Sequence, residues 1–152
     1  MERLIQCKGK LLGVDFGDKR TGLAVSDRTQ FLASGIGYIS PGGLEKTAEA
    51  VGACAKEQGV CAIVVGLPVN MNGSEGFRAE RVRRFIAQLE EQTQLPVVPF
   101  DERLSTMEAG RYLNESDTRG QKRKQVIDTL SAQIILQSAL DRLRFLRSQS
   151  SG

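Results

Sequence analysis

The sequence of 152 residues contains no histidine and only three cysteines. The absence of histidine excludes Ser-His-Asp and Cys-His nucleophilic catalysis and every metal site that needs an imidazole ligand. Cys7, Cys54 and Cys61 are odd in number and lack CxxC spacing, which argues against a disulfide framework or a thiolate zinc site. We interpret them as small buried apolar side chains. Any catalysis therefore depends on carboxylates, lysines or a cofactor.

Long apolar runs are also missing. No stretch approaches the roughly 20 apolar residues that a membrane span needs, and the N-terminal residues lack the apolar core of a signal peptide. We therefore expect a cytoplasmic protein with no membrane partner. Hydrophobic residues make up 40% and charged residues 26%, as in an ordinary globular domain. The length predicts one domain over residues 1–147, followed by a frayed tail over 148–152.

The hydrophobic pattern changes period along the chain. Three short segments joined by tight turns predict an antiparallel meander, and apolar residues at helical spacing then alternate with apolar strands. Strands are predicted over residues 10–16, 21–26, 31–40, 61–67 and 96–100, and helices over 44–58, around 82–89, over 105–113 and over 122–146. The order βββ-α-β-α-β-α-α predicts an α/β fold with a five-stranded mixed sheet and helices on both faces.

Three carboxylates occupy positions where a charge is costly unless it is paired or bound to a cation. Asp15 directly follows the apolar residues of the first strand, and Gly17 leaves space beside it. Glu102 follows the fifth strand, and ligands of open α/β sheets gather at the carboxyl ends of strands. Asp128 lies within the last helix, before small residues that let the helix approach the sheet. Capping or ion pairing would explain each acid alone, but the three together predict one site.

A site of carboxylates without histidine or thiolate ligands suits hard cations such as Mg²⁺ or Mn²⁺. Two such ions roughly 4 Å apart can activate a water and stabilise the leaving oxygen in phosphodiester cleavage. The sequence therefore predicts a divalent-metal site held by Asp15, Glu102 and Asp128.

Positive charge is clustered although the net charge is only +3. The two clusters are Arg78, Arg81, Arg83 and Arg84 around Glu80, and Arg119, Lys122, Arg123 and Lys124. Such clusters favour a polyanionic partner, but solvated helix faces explain each of them equally well.

Four segments resemble the YqgF family, also called RuvX, of pre-16S rRNA nucleases and Holliday-junction-resolvase-like proteins. They are GVDFGDKRTGLAVSD at 13–27, VGLPVNMNG at 65–73, DERLST at 101–106 and VIDTLSA at 126–132. The resemblance implies a ribonuclease H-like fold and a divalent-metal nuclease with acidic positions at Asp15, Glu102 and Asp128. It also implies maturation of the 5′ end of 16S rRNA.

Two departures from the related proteins stand near the last acid. Ser131 occupies a position where family members often carry alanine. Because serine is also small, the contact between this helix and the sheet should tolerate the difference. True resolvases usually have a fourth acid near this point, and no acid accompanies Asp128 here. We therefore expect pre-rRNA as the partner, with branched DNA as the alternative and the choice between monomer and homodimer left open.

Other residues have two roles that the sequence leaves open. Lys19, Arg20 and Arg103 either contact phosphates or pair with the acids. Asn70, Asn72 and Ser74 either touch substrate or, as we favour, form a turn and cap a helix.

Two other functions remain. A sugar kinase or actin-like ATPase also opens with a DxGxxxxG turn, but it needs a second domain. A non-catalytic RNA-binding assembly factor would use the basic clusters, and it would lack an aromatic platform if the six phenylalanines are mostly core.

Overall fold

The computed structural model describes the backbone of residues 1–105 and 120–150 and the side chains of residues 1–105 and 129–149. A short 3₁₀ turn, Glu2–Leu4, comes first. The strands are β1 (Leu11–Asp15), β2 (Thr21–Ser26), β3 (Ala33–Ile39), β4 (Ala62–Leu67) and β5 (Val97–Asp101). The helices are α1 (Leu44–Gln58), α2 (Phe77–Thr93) and α3 (Gly120–Ser150), and a second 3₁₀ turn covers Glu102–Leu104.

The five strands form one mixed sheet in the order β3-β2-β1-β4-β5. β1 pairs with β2 antiparallel and with β4 parallel, β2 pairs with β3 antiparallel, and β4 pairs with β5 parallel. The predicted five-stranded mixed sheet is therefore confirmed. The helix predicted over 105–113 lies outside the described residues except for Ser105. α3 continues to Ser150, so it includes residues that we expected in the tail.

The sheet is covered on both faces, as predicted. Alternating residues of β1 show why: Leu12 and Val14 belong to the core shared with α1 and α2, whereas Leu11 belongs to the core shared with α3. Every residue of β4 is buried, which explains its unbroken apolar sequence, typical of a strand covered on both sides. No helix among the described residues is long and apolar enough to span a membrane.

α3 runs against the sheet in the direction opposite to β1. Near its C-terminus the Arg147 guanidinium donates hydrogen bonds to the carbonyls of Leu4 (3.0 Å) and Cys7 (3.2 Å), which precede β1. Further towards its N-terminus, Ala132 and Leu136 lie over Gly13 in the middle of β1. The N-terminal part of α3 therefore points towards the carboxyl end of β1.

The contact at Gly13 generates a stability prediction. A Cβ atom at Gly13 would lie 2.6 Å from the Cβ of Leu136 and 3.2 Å from the carbonyl oxygen of Ala132, so the helix would have to move. We expect Gly13→Ala to lower the free energy of unfolding by about 1–3 kcal/mol, as overpacked cores do. Urea unfolding followed by circular dichroism measures this change.

Gly52→Ala, within α1, is the matched control. The nearest atom to a Cβ there is 3.4 Å away, an ordinary contact. Alanine stabilises a helix interior by roughly 0.5–1 kcal/mol relative to glycine. We therefore expect this variant to match or exceed the wild type, and equal losses in both variants would contradict the assignment of Gly13 as a helix contact.

Candidate functional site

The candidate site lies at the edge of the sheet where three parallel strands end. β1 ends at Asp15 and β5 ends at Asp101, and Glu102 follows immediately in the 3₁₀ turn. β4 lies between them, because it pairs with β1 on one side and with β5 on the other. The two acids predicted from the ends of separate strands are thus placed at one edge of the sheet.

Both acids are on the face that α3 covers. Since side chains alternate along a strand, Asp15 shares the face of Gly13, which meets α3. A Cβ atom at Gly66 of β4 would lie 2.9 Å from Oε1 of Glu102 and 2.6 Å from Cδ1 of Ile135. The Glu102 carboxylate therefore lies against the backbone of Gly66. A side chain on any other residue at position 66 would occupy the space that this carboxylate fills.

Asp128 lies in α3, four residues before Ala132. Four residues correspond to about one helical turn, so Asp128 is on the same side of the helix as Ala132. It lies one turn closer to the carboxyl end of β1. The side chain of Asp128 lies outside the described side chains, and its part in the site stays a prediction. Among the residues that the structure describes, no group of three acids or cysteines is arranged to hold a metal ion.

Electrostatics distinguish the two neighbouring acids at the end of β5. Burial raises the pKa of the Glu102 carboxyl, a change that the positive charge of Arg78 opposes and the charge of Asp101 reinforces. Asp101 has the opposite environment, because hydrogen bonds from Arg103 lower its pKa. Asp101 is therefore satisfied within the protein, whereas Glu102 is a carboxylate whose charge is only partly compensated.

Arg103 is oriented by Asp101 rather than by Glu102. Its Nε lies 3.1 Å from Oδ1 and its Nη2 2.7 Å from Oδ2 of Asp101, a two-pronged ion pair. Its Nη1 reaches the carbonyls of Asn70 (3.4 Å) and Met71 (3.5 Å) in the loop after β4. Arg103 thus pairs with an acid that is not one of the three predicted ones, and its contact with a phosphate stays a prediction.

The loop itself is held by its own polar groups. The Asn70 N–H donates to the carbonyl of Ser74 (2.9 Å), and Oδ1 of Asn72 accepts from the N–H of Ser74 (3.0 Å). The predicted turn-forming role of these residues is confirmed. The predicted helix capping is wrong, because Gly76 is the N-cap of α2 and no side chain caps that helix end.

The remaining predicted cationic residues are only partly described. Lys19 is exposed in the turn between β1 and β2, and Arg20, in the same turn, is partly buried. Arg119 and the side chains of Lys122, Arg123 and Lys124 lie outside the described part of the chain.

In the cluster on α2, three arginines are paired. Arg81 contacts Asp18 (2.6 Å), Arg83 contacts Glu75 (2.6 Å) and Arg84 contacts Glu80 (3.4 Å). These pairs agree with the simpler interpretation of that cluster as a solvated helix face.

Arg78 and Arg81 line a small cavity of about 90 Å³ together with Glu102, and the positive charge of Arg78 acts on the Glu102 carboxyl. Phe16, Asp18 and Phe77 line the same cavity. It opens where the first turn of α2 faces the carboxyl ends of the strands. A cationic side chain and a carboxylate therefore share one recess at the candidate site.

The expectation that the phenylalanines are mostly core is wrong for half of them. Phe31, Phe77 and Phe145 are exposed by 60%, 81% and 52%, whereas the other three are buried. Phe77 is the first residue of α2 and its side chain is largely free, beside the recess that holds Glu102. The number of aromatic residues could not reveal that Phe77 is exposed. The sequence offers one signal for this exposure: Phe77 follows a polar loop and stands four residues after Gly73, where a helix begins.

Comparisons with known proteins agree with this geometry. The sequence model of the RuvX family, described as Holliday junction resolvase, matches residues 9–142. A protein of Clostridioides difficile (strain 630), named "Putative pre-16S rRNA nuclease", is 47% identical over 133 residues and 94% of its length. A protein of Paracoccus denitrificans (strain Pd 1222) with the same name is 45% identical over 138 residues and 87% of its length. These matches cover 88% and 91% of the present chain.

Among solved structures, RuvC of T. thermophilus in complex with a Holliday junction substrate superposes with a TM-score of 0.57 at 11% identity. The match covers 88% of the present chain and 96% of RuvC. A second structure of Thermus thermophilus RuvC gives a TM-score of 0.53 at 12% identity. The ribonuclease H-like fold expected from the resemblance is thereby confirmed.

The burial of Glu102 predicts that the site costs stability when no cation is present. Because the folded-state pKa is raised above the ordinary value of 4.5, the folded state binds the proton more tightly, and stability falls as pH rises from below 4.5 through the raised pKa. We expect Glu102→Gln to unfold at a higher temperature than the wild type at pH 7 with EDTA. At pH 4, which is below the ordinary pKa of 4.5, the difference should shrink.

Glu91→Gln is the control, since Glu91 is exposed on α2. Thermal unfolding at pH 4 and pH 7, with and without Mg²⁺, measures all three proteins. A Glu102→Gln variant that is less stable than the wild type at pH 7 with EDTA would contradict the assignment of Glu102 as a carboxylate whose charge is only partly compensated.

Proposed function

The chain belongs to the RuvX family of Holliday junction resolvases, and we propose that it is a divalent-metal-dependent nuclease acting on pre-16S rRNA. The observation that carries this proposal is that Asp15 ends β1 and Glu102 follows β5 at the same edge of the sheet, with β4 between them and the Glu102 carboxylate against Gly66 of β4. A nuclease function also agrees with the names of the relatives, which span most of this chain.

The donor set fits a hard cation. The Glu102 carboxylate occupies a space against Gly66 that a Cβ would fill, and its partial burial raises its pKa. Such a carboxylate gains more from a bound cation than a solvated one does. We propose that Asp15 and Glu102 hold Mg²⁺ or Mn²⁺ and that Asp128 completes the coordination from α3. When bound, the ion would supply an activated water and stabilise the leaving oxygen.

The side chains around the acids would position the substrate. Arg103 is held by Asp101 beside the loop of residues 68–76, so its guanidinium is pre-oriented for a phosphate near Glu102. Arg78 adds a second positive charge on the recess. From the β1–β2 turn, Lys19 and Arg20 would contact phosphates of the substrate. Further phosphates along the nucleic acid would be contacted by Arg119, Lys122, Arg123 and Lys124.

Two substrates are compatible with this site. The names of the relatives favour pre-16S rRNA, whereas the description of the family favours a Holliday junction. We propose cleavage at the 5′ end of 16S rRNA, which the sequence resemblance implies, in the cytoplasm. The absence of a fourth acid near Asp128 leads us to prefer RNA. A non-catalytic binding role would not explain the partly buried and only partly compensated charge of Glu102, which is why we prefer an enzyme.

Replacement of Asp15 tests the catalytic assignment. We expect Asp15→Asn to reduce cleavage at least about 100-fold, since a catalytic metal contributes several kcal/mol to transition-state stabilisation. Labelled pre-16S rRNA 5′ fragments and four-way DNA junctions are incubated with Mg²⁺ or Mn²⁺, with EDTA as the metal-free arm. Circular dichroism checks that the variant is folded.

Asp141→Asn is the matched control, because Asp141 is an exposed acid on α3 that pairs with Arg144. It should cleave at the wild-type rate. Cleavage by Asp15→Asn at that same rate would refute the site, cleavage that persists in EDTA would refute the metal, and cleavage of junctions alone would refute RNA as the substrate.

Phe77 offers a test of how substrate is positioned. Its exposed ring beside the recess can stack on an unpaired base, and such stacking contributes about 1–3 kcal/mol per base. We expect Phe77→Ala to raise KM about tenfold on single-stranded RNA and to leave kcat nearly unchanged. Phe145→Ala, which removes an exposed ring near the end of α3, is the control; equal effects of the two variants would argue against base stacking.

A further inference from the structure

Two cysteines that are 54 residues apart in the sequence meet in the fold. Cys7 lies in the segment before β1 and Cys61 directly precedes β4, and their Sγ atoms are 3.1 Å apart. Both thiols are free and partly exposed, as is that of Cys54, so the interpretation of the cysteines as buried side chains is wrong. A disulfide bond has an S–S distance of about 2.05 Å, so the two sulfurs need to approach by only about 1 Å.

Hydrogen bonds hold the backbone of both cysteines in place. The Cys61 N–H donates to the carbonyl of Lys10 (2.8 Å). The Cys7 carbonyl accepts from Nε2 of Gln30 (3.0 Å) and from Nη2 of Arg147 (3.2 Å). Gln30 is only 3% exposed, so this anchor is part of the core. The proximity of the sulfurs is therefore built into the packing of three separate parts of the chain.

A small oxidant can reach the pair from one side. Cys7 lines an open cavity of about 470 Å³ together with Lys8, Arg28 and Arg147. Cys61 is less reactive, because burial and its contact with Cys7 raise the pKa of its thiol to about 12. We therefore expect an oxidant to attack at Cys7 first.

We propose that Cys7 and Cys61 are a reversible oxidation site that forms an intramolecular disulfide with hydroperoxides. In the first step the Cys7 sulfur takes an oxygen from H₂O₂, which gives a sulfenic acid and one water. In the second step the Cys61 sulfur attacks the Cys7 sulfur, the S–O bond breaks, and the hydroxyl leaves with the Cys61 proton as a second water. Two thiols and one H₂O₂ thus become one disulfide and two waters.

The bond would fasten the N-terminal segment to β4. That segment contributes Leu4 to the core beneath α3 and accepts the hydrogen bonds of Arg147. The cross-link closes a loop of more than 50 residues, which restricts the unfolded chain strongly. Cys61 and Gly66 are five residues apart along β4, about 16 Å, so the nuclease site should be unaffected.

The test is titration of the reduced native protein with H₂O₂, followed by intact mass spectrometry and peptide mapping without reduction. We expect a loss of about 2 Da, a cross-linked peptide pair containing Cys7 and Cys61, and a Tm higher by at least about 3 °C that dithiothreitol reverses. Cys54→Ser should behave as the wild type, because Cys54 lies on α1 away from the pair. Cys7→Ser and Cys61→Ser should each lose the mass change and the Tm shift.

Several results would overturn the proposal. One is stable addition of oxygen at Cys7 without a cross-link, and another is a disulfide that involves Cys54 or a second copy of the chain. A cross-link that forms only after denaturation, or one that leaves the Tm unchanged, would also overturn it. Cleavage assays on oxidised and reduced protein complete the test, and we expect equal rates.

Discussion

The close approach of α3 to the sheet is the constraint on which the rest of the molecule depends. Three strands present a glycine to this helix, Gly13 in β1, Gly35 in β3 and Gly66 in β4. A Cβ atom at any of them would come within 2.6 Å of a side chain of α3. Because the glycines remove these atoms, one long helix can lie directly on the backbone of the sheet. That position brings the helix turn containing Asp128 towards the strand end that carries Asp15.

The same closeness explains the electrostatics of the site. Ile135 of α3 and Glu102 both occupy the space above Gly66, so the helix that stabilises the core also removes water from the carboxylate. Burial therefore raises the pKa of Glu102. The charge of the adjacent Asp101 is stabilised by hydrogen bonds from Arg103, which lower its pKa. The packing at Gly66 and the raised pKa of Glu102 therefore have the same cause, the close approach of α3 to the sheet.

Local sequence patterns predicted the sheet well and the surroundings of the site poorly. Alternation and apolar runs depend on neighbouring residues, so all five strands were predicted within two residues of their ends. The exposure of Phe77 and the contact of Cys7 with Cys61 depend on how distant elements dock, which no local period encodes. Glu102 was placed correctly because its signal, an acid after a buried strand, is local. Its contact with Gly66, from the neighbouring strand, was not predictable.

The N-terminal segment also contributes to the site, although it lies at the opposite edge of the sheet. Arg147 fastens the C-terminal part of α3 to the carbonyls of Leu4, Ile5 and Cys7. From Arg147 to Asp128 the helix spans about 28 Å as one rigid rod. An anchor at one end of a rod limits how far its other end can tilt. The segment before β1 therefore helps to set where the acid of α3 stands, through hydrogen bonds of Arg147 that exist without any bond between Cys7 and Cys61.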